Sequence, residues 1–342
     1  MVSFGDPQEE FETLRSTCGV FDLGFRSKIA LSGSDRARWL NGMVTNNIRD
    51  LAPGHGVYAF LLNPQGRILG DLFAYNRGDS ITVDTDRSQA EKILATFDHY
   101  IIMDDVEVKG LDEELTALGL AGPKASAVLA AAGLDVSEMA PLTIRQLSWN
   151  GTDCSVVRTE SEPDIAFEIW ISPSQVRRLW DALVLAGAIP VGSDAVELHR
   201  IVQGIPRYGV DIRERDLPQE TEQARALNFN KGCYVGQEIV ERIRSRGAVH
   251  RKFTGFLAGG NATIHPGAKI RSADKDVGEV TSVARLQLGS GEKILALGYV
   301  RREVGSPGRQ LTVGEIPVTA AQLPFDQSIL QHEESAVEQH PA

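Results

Sequence analysis

Apolar and polar positions alternate over residues 57–76, which predicts two strands around a turn: the run YAFLL leads into Asn63-Pro64-Gln65-Gly66 and then into RILGDLFAY. Proline suits the second position of such a turn and glycine the fourth. In the second strand a period of two puts Arg67, Leu69, Asp71, Phe73 and Tyr75 on one face and Ile68, Gly70, Leu72 and Ala74 on the other. One carboxylate, Asp71, is thereby set among large apolar neighbours. Helical periodicity recurs at 35–43, 88–97, 123–132, 173–186 and 194–202, and several of these segments open on Ser, Asp or Pro, which suit helix starts. Short β-rich runs lie between them, at 80–83, 106–109, 154–157 and 165–171. Helices and hairpins mixed without a regular βαβ alternation predict α+β domains, not a doubly wound sheet.

After Gly247 the pattern changes to short apolar strands about ten residues apart, separated by Gly-Gly, Pro-Gly, Gly-Ser-Gly and Ser-Pro-Gly, which predicts a small all-β barrel or sandwich. Residues 326–342 are polar and acidic without periodicity and read as a disordered tail. A chain of 342 residues is long enough for two or three domains.

Composition changes this picture little: apolar residues make up 42% and charged residues 24%, as in ordinary globular proteins. The most apolar stretch, 182–191, is broken by Gly187 and Pro190, so no run reaches the ~18 residues of a membrane span. Residues 1–16 lack the basic start and apolar middle of a signal peptide, and cytoplasmic residence is the expectation. A formal charge of −11 opposes phosphate backbones and argues against a nucleic-acid partner. Three cysteines, Cys18, Cys154 and Cys233, form no CxxC pair and no disulfide framework. The histidines show no HExxH, so no metal site is expected; no GxGxxG is present, and Gly289-Ser290-Gly291-Glu292-Lys293 lacks the ending of a phosphate loop and reads as a hairpin turn.

The strongest local signal is Lys231-Gly232-Cys233-Tyr234-Val235-Gly236-Gln237-Glu238, running into a helical pattern at 239–244. A thiol at a helix start beside a lysine is favoured as thiolate by the helix dipole and the cation. Free cysteines are as often buried and inert. A basic stretch, Arg242, Arg244, Arg246, Arg251 and Lys252, suits either an anionic ligand or partner, or a solvated helix face paired with Glu238 and Glu241.

The octapeptide KGCYVGQE resembles the hallmark of the YgfZ family, within the superfamily of the glycine-cleavage T-protein. GVFDLGFRSKIALSGSDRARWLNGMVTNNI, LLNPQGRILGDLFAY, GLAGPKA, AFEIW and RIVQGIPRYGVDI resemble further blocks of that superfamily in the same order, from about Phe11 to Pro324. The resemblance implies α+β modules around a central opening with a C-terminal β-barrel, and domains at 1–110 with 196–244, at 111–195 and at 245–325. It also implies tetrahydrofolate or a derivative as ligand. By motif position Asp71 matches the T-protein's catalytic acid and Glu168 the glutamate that grips the pterin ring. A carboxylate in an apolar setting has a raised proton affinity and can exchange a proton with a folate nitrogen; a strand aspartate paired with an arginine is the plainer alternative. A carboxylate also accepts two parallel hydrogen bonds from an amino-pyrimidine edge, which suits Glu168. Arg26 and Lys231 join these as candidate cofactor-binding residues, and Cys233 joins Asp71 as candidate catalytic residue.

The chain departs from the T-protein at Ser161 or a neighbour in RTESEPDIAFE, where that family has a ligand tyrosine, and at Val196, where it has an arginine. With Arg26 and the thiol octapeptide, these departures point to a folate-binding accessory protein that supports assembly or repair of iron–sulfur clusters, with iron–sulfur client enzymes or assembly factors as partners. The alternative is a tetrahydrofolate-dependent aminomethyltransferase or related one-carbon transferase. A folate reservoir without chemistry is the third.

Overall fold

The computed structural model describes residues 1–160, 165–247, 249–288 and 291–325. The tail 326–342, the Gly289-Ser290 turn and Ser161 lie outside the described residues. Two compact units divide the chain: Met1–Val196 with Arg225–Glu238, and Glu197–Ala224 with the residues from Ile239 on.

In chain order the first unit contains α1 (Pro7–Ser16), β1 (Gly19–Asp22), β2 (Arg26–Ser32), α2 (Arg36–Met43), β3 (Gly56–Leu62), β4 (Ile68–Asn76), β5 (Ile81–Asp86) and α3 (Arg87–Tyr100). It continues with β6 (Glu107–Gly110), β7 (Thr116–Ala121), α4 (Ala125–Ala131), β8 (Thr143–Trp149), β9 (Thr152–Arg158), β10 (Ala166–Ile171), α5 (Val176–Leu185) and β11 (Ile189–Pro190). The next helix, α6 (Ser193–Val202), leads out of the unit.

These strands form a five-stranded sheet in the order β3-β4-β5-β2-β6 and a six-stranded sheet in the order β11-β1-β7-β10-β9-β8. The first is antiparallel throughout. Its Leu72, Ala74, Ile29 and Val83 pack on Trp39 and Leu40 of α2 and on Ile93 and Phe97 of α3. The second packs Leu118, Leu120, Phe167 and Ile169 against Val128 and Leu129 of α4 and Leu179 and Leu183 of α5. Each sheet thus buries one face under helices, and the period of two sends the intervening residues to the other face. A smaller cluster joins those other faces, with Tyr75 from β4 against Trp170 from β10 and Val157 from β9.

The β3–β4 turn forms as its residues predict. Gly66 adopts φ +71° and donates its N–H to Asn63 O at 2.9 Å, while Asn63 Oδ1 accepts from the amides of Gln65 and Arg67. A side chain at Gly66 would meet the left-handed penalty that glycine avoids.

The second unit is a closed six-stranded barrel of β12 (Arg251–Gly259), β13 (Lys269–Ser272), β14 (Lys275–Leu288), β15 (Gly291–Arg301), β16 (Gln310–Val313) and β17 (Ile316–Ala321). It follows α7 (Gln237–Arg246), whose first residues still belong to the other unit. Closure removes the exposed edges that short β-rich segments would otherwise present. Segment 203–222 is tied to the barrel by its carboxylates: Asp211 accepts from the Ser282 hydroxyl at 2.8 Å, and Arg251 reaches Asp216 at 2.6 Å and Glu220 at 2.9 Å. The α+β class and the C-terminal barrel expected from the sequence are both present. Among the described residues no helix is long and apolar enough to cross a membrane.

Candidate functional site

Antiparallel register brings a row of unlike residues across the open face of the five-stranded sheet. Tyr58 of β3 lies opposite Phe73 of β4, Phe73 opposite Asp84 of β5, and Asp84 opposite Lys28 of β2. Asp84 is 1% exposed and is shared by two cations, Arg26 and Lys28. The Lys28 ammonium is 2.7 Å from Asp84 Oδ1 without the angles of a directed hydrogen bond, and it rests 4.8 Å from the centre of the Trp170 ring. Burial pushes the Asp84 carboxyl up, but Arg26 and Lys28 outweigh it and hold it below the usual carboxylate range.

Asp71 sits one pleat along β4 from Phe73. Its Oδ2 accepts from the Tyr58 hydroxyl at 2.7 Å and its Oδ1 from Gln89 Nε2 at 2.8 Å. Gln89, buried on α3, returns a second contact by accepting the Asp71 amide at 2.9 Å, so the carboxylate cannot rotate without breaking a ring of bonds. The sequence places Asp71 among apolar neighbours only; the structure corrects this, because the polar ends of Tyr58 and Gln89 turn toward it. Desolvation, then the charge of Asp71, pushes the Tyr58 phenol well above its usual value, so it stays a donor.

Glu168 comes from the six-stranded sheet. Alternation along β10 puts Phe167, Ile169 and Ile171 in the core under the helices and Glu168 and Trp170 on the opposite face. The Trp170 indole N–H donates to Glu168 Oε2 at 2.9 Å and leaves Oε1 for another donor. Desolvation first, and the Asp84 charge second, raise the Glu168 carboxyl, against opposing pulls from Lys28 and Arg26.

Between the two carboxylates runs a chain of aromatic rings. Tyr58 and Phe73 lie 4.9 Å apart, Phe73 and Tyr75 6.4 Å in a stacked pair, and Tyr75 and Trp170 5.5 Å edge to face. Tyr58 carries Asp71 at one end and Trp170 carries Glu168 at the other. Arg225 caps the Tyr58 ring at 4.5 Å and pairs with Glu160. Arg26 lies in the field of Asp84, Glu168 and Asp71 together, and these charges raise its proton affinity against desolvation.

The octapeptide lies on the same unit, with its ends pinned and its middle open. Lys231 is 6% exposed, and its ammonium donates to the carbonyls of Asn41 and Val44 at the end of α2, with the Tyr234 ring 4.7 Å away. Burial, with repulsion from Arg49, pushes this ammonium down to about 7, while the two carbonyls work the other way. Val235 N–H donates to Gly42 O at 3.1 Å. Gly236, at φ +81°, lies so close to the β3–β4 turn that a Cβ there would be 2.6 Å from Asn63 O. Cys233 is exposed between these anchors, ahead of α7, which opens only at Gln237. The expected thiol at a helix opening beside a free lysine is therefore corrected: the lysine is spent on α2 and the dipole begins further along.

A Gly236→Ala chain is expected to lose about 1–3 kcal/mol of stability, since backbone strain adds to a clash with a carbonyl that cannot move aside. Urea unfolding of the parent and variant measures it.

The structure thus brings Asp71, Glu168 and Arg26 into one cluster and leaves Lys231 and Cys233 on a separate strip of the same unit. Sequence reasoning missed Lys28, Asp84, Tyr58, Gln89 and Trp170. Lys28 and Asp84 left a faint signal, as charges at the edges of the largely apolar runs 29–31 and 81–83; Gln89 left none, because its role depends on how α3 packs. Among the described residues no cluster of His, Cys, Asp and Glu could hold a metal ion.

A putative chloroplastic transferase of Arabidopsis thaliana is 30% identical over 331 residues, 94% of this chain and 74% of that protein. The aminomethyltransferase of Rubrobacter xylanophilus is 30% identical over 328 residues, 95% of this chain and 87% of that one. The crystal structure of the glycine cleavage system aminomethyltransferase T from Bartonella henselae matches in fold with a TM-score of 0.84 at 23% identity, over 94% of this chain and 90% of the other. The sequence signature of the GCVT N-terminal domain spans residues 3–231, and with relatives of this similarity along nearly the whole chain, the protein belongs to the GCVT N-terminal domain family.

Proposed function

We propose that this protein binds tetrahydrofolate or a derivative on the Tyr58–Trp170 floor and acts as a folate-dependent one-carbon transferase of the aminomethyltransferase kind. One observation carries the reading: a run of aromatic rings, buried except for the half-buried Phe73, bears a fixed carboxylate at each end, Asp71 on Tyr58 and Glu168 on Trp170. Such a surface fits a flat, hydrogen-bonding bicyclic ring, with apolar faces below and carboxylates at the edges. The likeness to aminomethyltransferases in sequence supports the same activity.

In this reading the bound folate supplies the nitrogens that carry the one-carbon unit. Glu168 accepts a pair of N–H donors from the amino-pyrimidine edge, with Trp170 holding Oε2 in place. Its ionised form is maintained in a desolvated setting by Arg26 and Lys28 and by the incoming donors. Asp71, held by two neutral donors and by no ion pair among the described residues, is the group that takes up and returns a proton at the reacting nitrogen.

Thermal stabilisation tests the ligand half of this reading. Tetrahydrofolate is expected to raise the melting temperature of the parent and to leave that of Glu168→Gln unchanged. Without ligand the glutamine chain should melt higher at neutral pH. Glu168 has a folded-state pKa above its unfolded value, so whatever stability it contributes is complete at low pH and is lost as pH rises through the folded value; the amide avoids that loss. If no folate raises the melting temperature of the parent, the reading fails.

A second reading rests on the octapeptide. It resembles the YgfZ hallmark, and its thiol is exposed between two buried anchors, Lys231 and Tyr234. In this reading the protein is a folate-binding accessory to iron–sulfur cluster assembly or repair, and Cys233 is the functional group that meets client enzymes or assembly factors.

A further inference from the structure

The second unit contains a cavity of about 510 Å³ that folate chemistry does not require. Its floor is buried: Asp211, Asp216, Thr281 and Tyr299 are each at most 4% exposed. Its mouth is open, with the side chains of Arg301 60%, Arg215 59% and Lys269 56% exposed.

The floor carboxylates have little capacity left. Asp211 holds Arg200, Thr281 and Ser282; Asp216 holds Arg251 and the Arg213 amide; Glu220 holds Arg251 twice and the Leu217 amide. At the mouth the balance is reversed. Glu279 faces Arg213 and Lys269, both at 2.8 Å, and Arg215 at 3.6 Å, which also lies 4.0 Å from Asp216. The hydrogen bond from Lys269, followed by that from Arg213, holds its carboxyl at about 2, so it stays an anion there, one charge against the two cations that bond to it. Arg301 adds a fourth positive charge, 3.8 Å from Glu303 and beyond hydrogen-bond reach. On a chain of net charge −11 this is a local surplus of donors and positive charge.

The Tyr299 hydroxyl supplies the second, independent observation. The residue is 4% exposed and lines the cavity, and its oxygen has no hydrogen-bond partner among the described residues. Its ring is fixed between Phe253 at 5.4 Å and the Arg251 guanidinium at 4.8 Å. A buried, unpaired hydroxyl costs folding free energy, and it is kept where something else answers it.

We propose that this cavity binds a small organic anion, its carboxylate or phosphate taken by Lys269, Arg213 and Arg301 at the mouth and an uncharged oxygen or nitrogen taken by the Tyr299 hydroxyl at the floor. The order follows from burial and charge. Burial first, and then the charges of Asp216, Asp211 and Glu220, keep the phenol protonated, and the same carboxylates repel an anionic group, so the charged end stays outside and the neutral polar end goes in.

Citrate and glycerol 2-phosphate serve as probes, one for each source of negative charge, with sodium chloride at matched ionic strength and glycerol as controls. Binding is read by calorimetry and by the shift in melting temperature of the full chain. At least one probe is expected to bind where both controls do not, and which one does identifies the anionic group. Tyr299→Phe should weaken that binding about tenfold while the ligand-free melting temperature stays level or rises, because the hydroxyl it removes has no partner. Lys269→Gln with Arg301→Gln should weaken it at least as much and flatten its salt dependence. Effects of both probes no larger than those of matched chloride overturn the proposal. So does binding indifferent to Tyr299→Phe, or a ligand-free Tyr299→Phe chain that melts lower, which would mean the hydroxyl is structural.

Discussion

Asparagine in place of Asp71 is expected to lower folate-dependent one-carbon transfer about 10²–10⁴-fold, the usual worth of a positioned proton-transfer group, while folate affinity changes no more than a few-fold. The substitution is nearly isosteric, and the local bonds accept it. Gln89 is locked in orientation by accepting the Asp71 amide, so Nε2 still donates to the remaining carbonyl oxygen at position 71; the Tyr58 hydroxyl can rotate and accept from the new amide group. The fold and the aromatic floor are retained and only the exchangeable proton is lost, which separates chemistry from binding. The same assay applied to Cys233→Ser divides the two functional readings. A transferase working through Asp71 keeps its rate when the exposed thiol is removed. If transfer is abolished by Cys233→Ser and survives Asp71→Asn, the thiol carries the function and the carboxylate is structural.

Much of this site could be read from the chain because it is built on strands, where a period of two turns a one-dimensional pattern into a face. The alternation through Leu69, Asp71, Phe73 and Tyr75 placed Asp71 beside the aromatic residues before any partner was known, and the turn chemistry of Asn63 to Gly66 fixed the hairpin that holds it. Helix α1 gave a weaker signal. Only Phe11 and Leu14, with Glu10, are buried on it, and Glu12 and Thr13 between them are polar, so its periodicity is too faint to read, and the capping Asp6 and Pro7 at the first helical position become meaningful only once the helix is seen. The shared ion centre was not legible. Asp84 is far in sequence from Arg26 and Lys28, and only the pairing of β2 with β5 shows that two cations answer to one carboxylate. The surroundings of Cys233 were misjudged for the same reason. Sequence proximity put Lys231 beside the thiol, whereas the unpaired carbonyls at the end of α2 compete for the ammonium and win.

That shared centre carries the largest expected effect on stability. Asp84→Asn removes the carboxylate and leaves Lys28, 1% exposed, and the largely buried Arg26 without the ion-pair partner they share, with Glu168 and Asp71 acting on them only through longer-range charge, so the chain should lose about 3–5 kcal/mol against urea at neutral pH. The sign of the pH dependence separates this cause from a packing defect. Asp84 has a folded-state pKa below its unfolded value, so its contribution is fully present above the unfolded value, about 3.9, and is lost as pH falls through the folded one. The gap between parent and variant should therefore be widest near neutrality and narrow in acid. Adding Lys28→Met to Asp84→Asn should recover part of the loss, because it removes the cation that the Trp170 face alone cannot satisfy, while Arg26 keeps Glu168 and Asp71 in its field. A packing defect predicts the reverse, with the second substitution adding to the first and the gap constant in pH. Either result would show that the two cations do not depend on this one carboxylate.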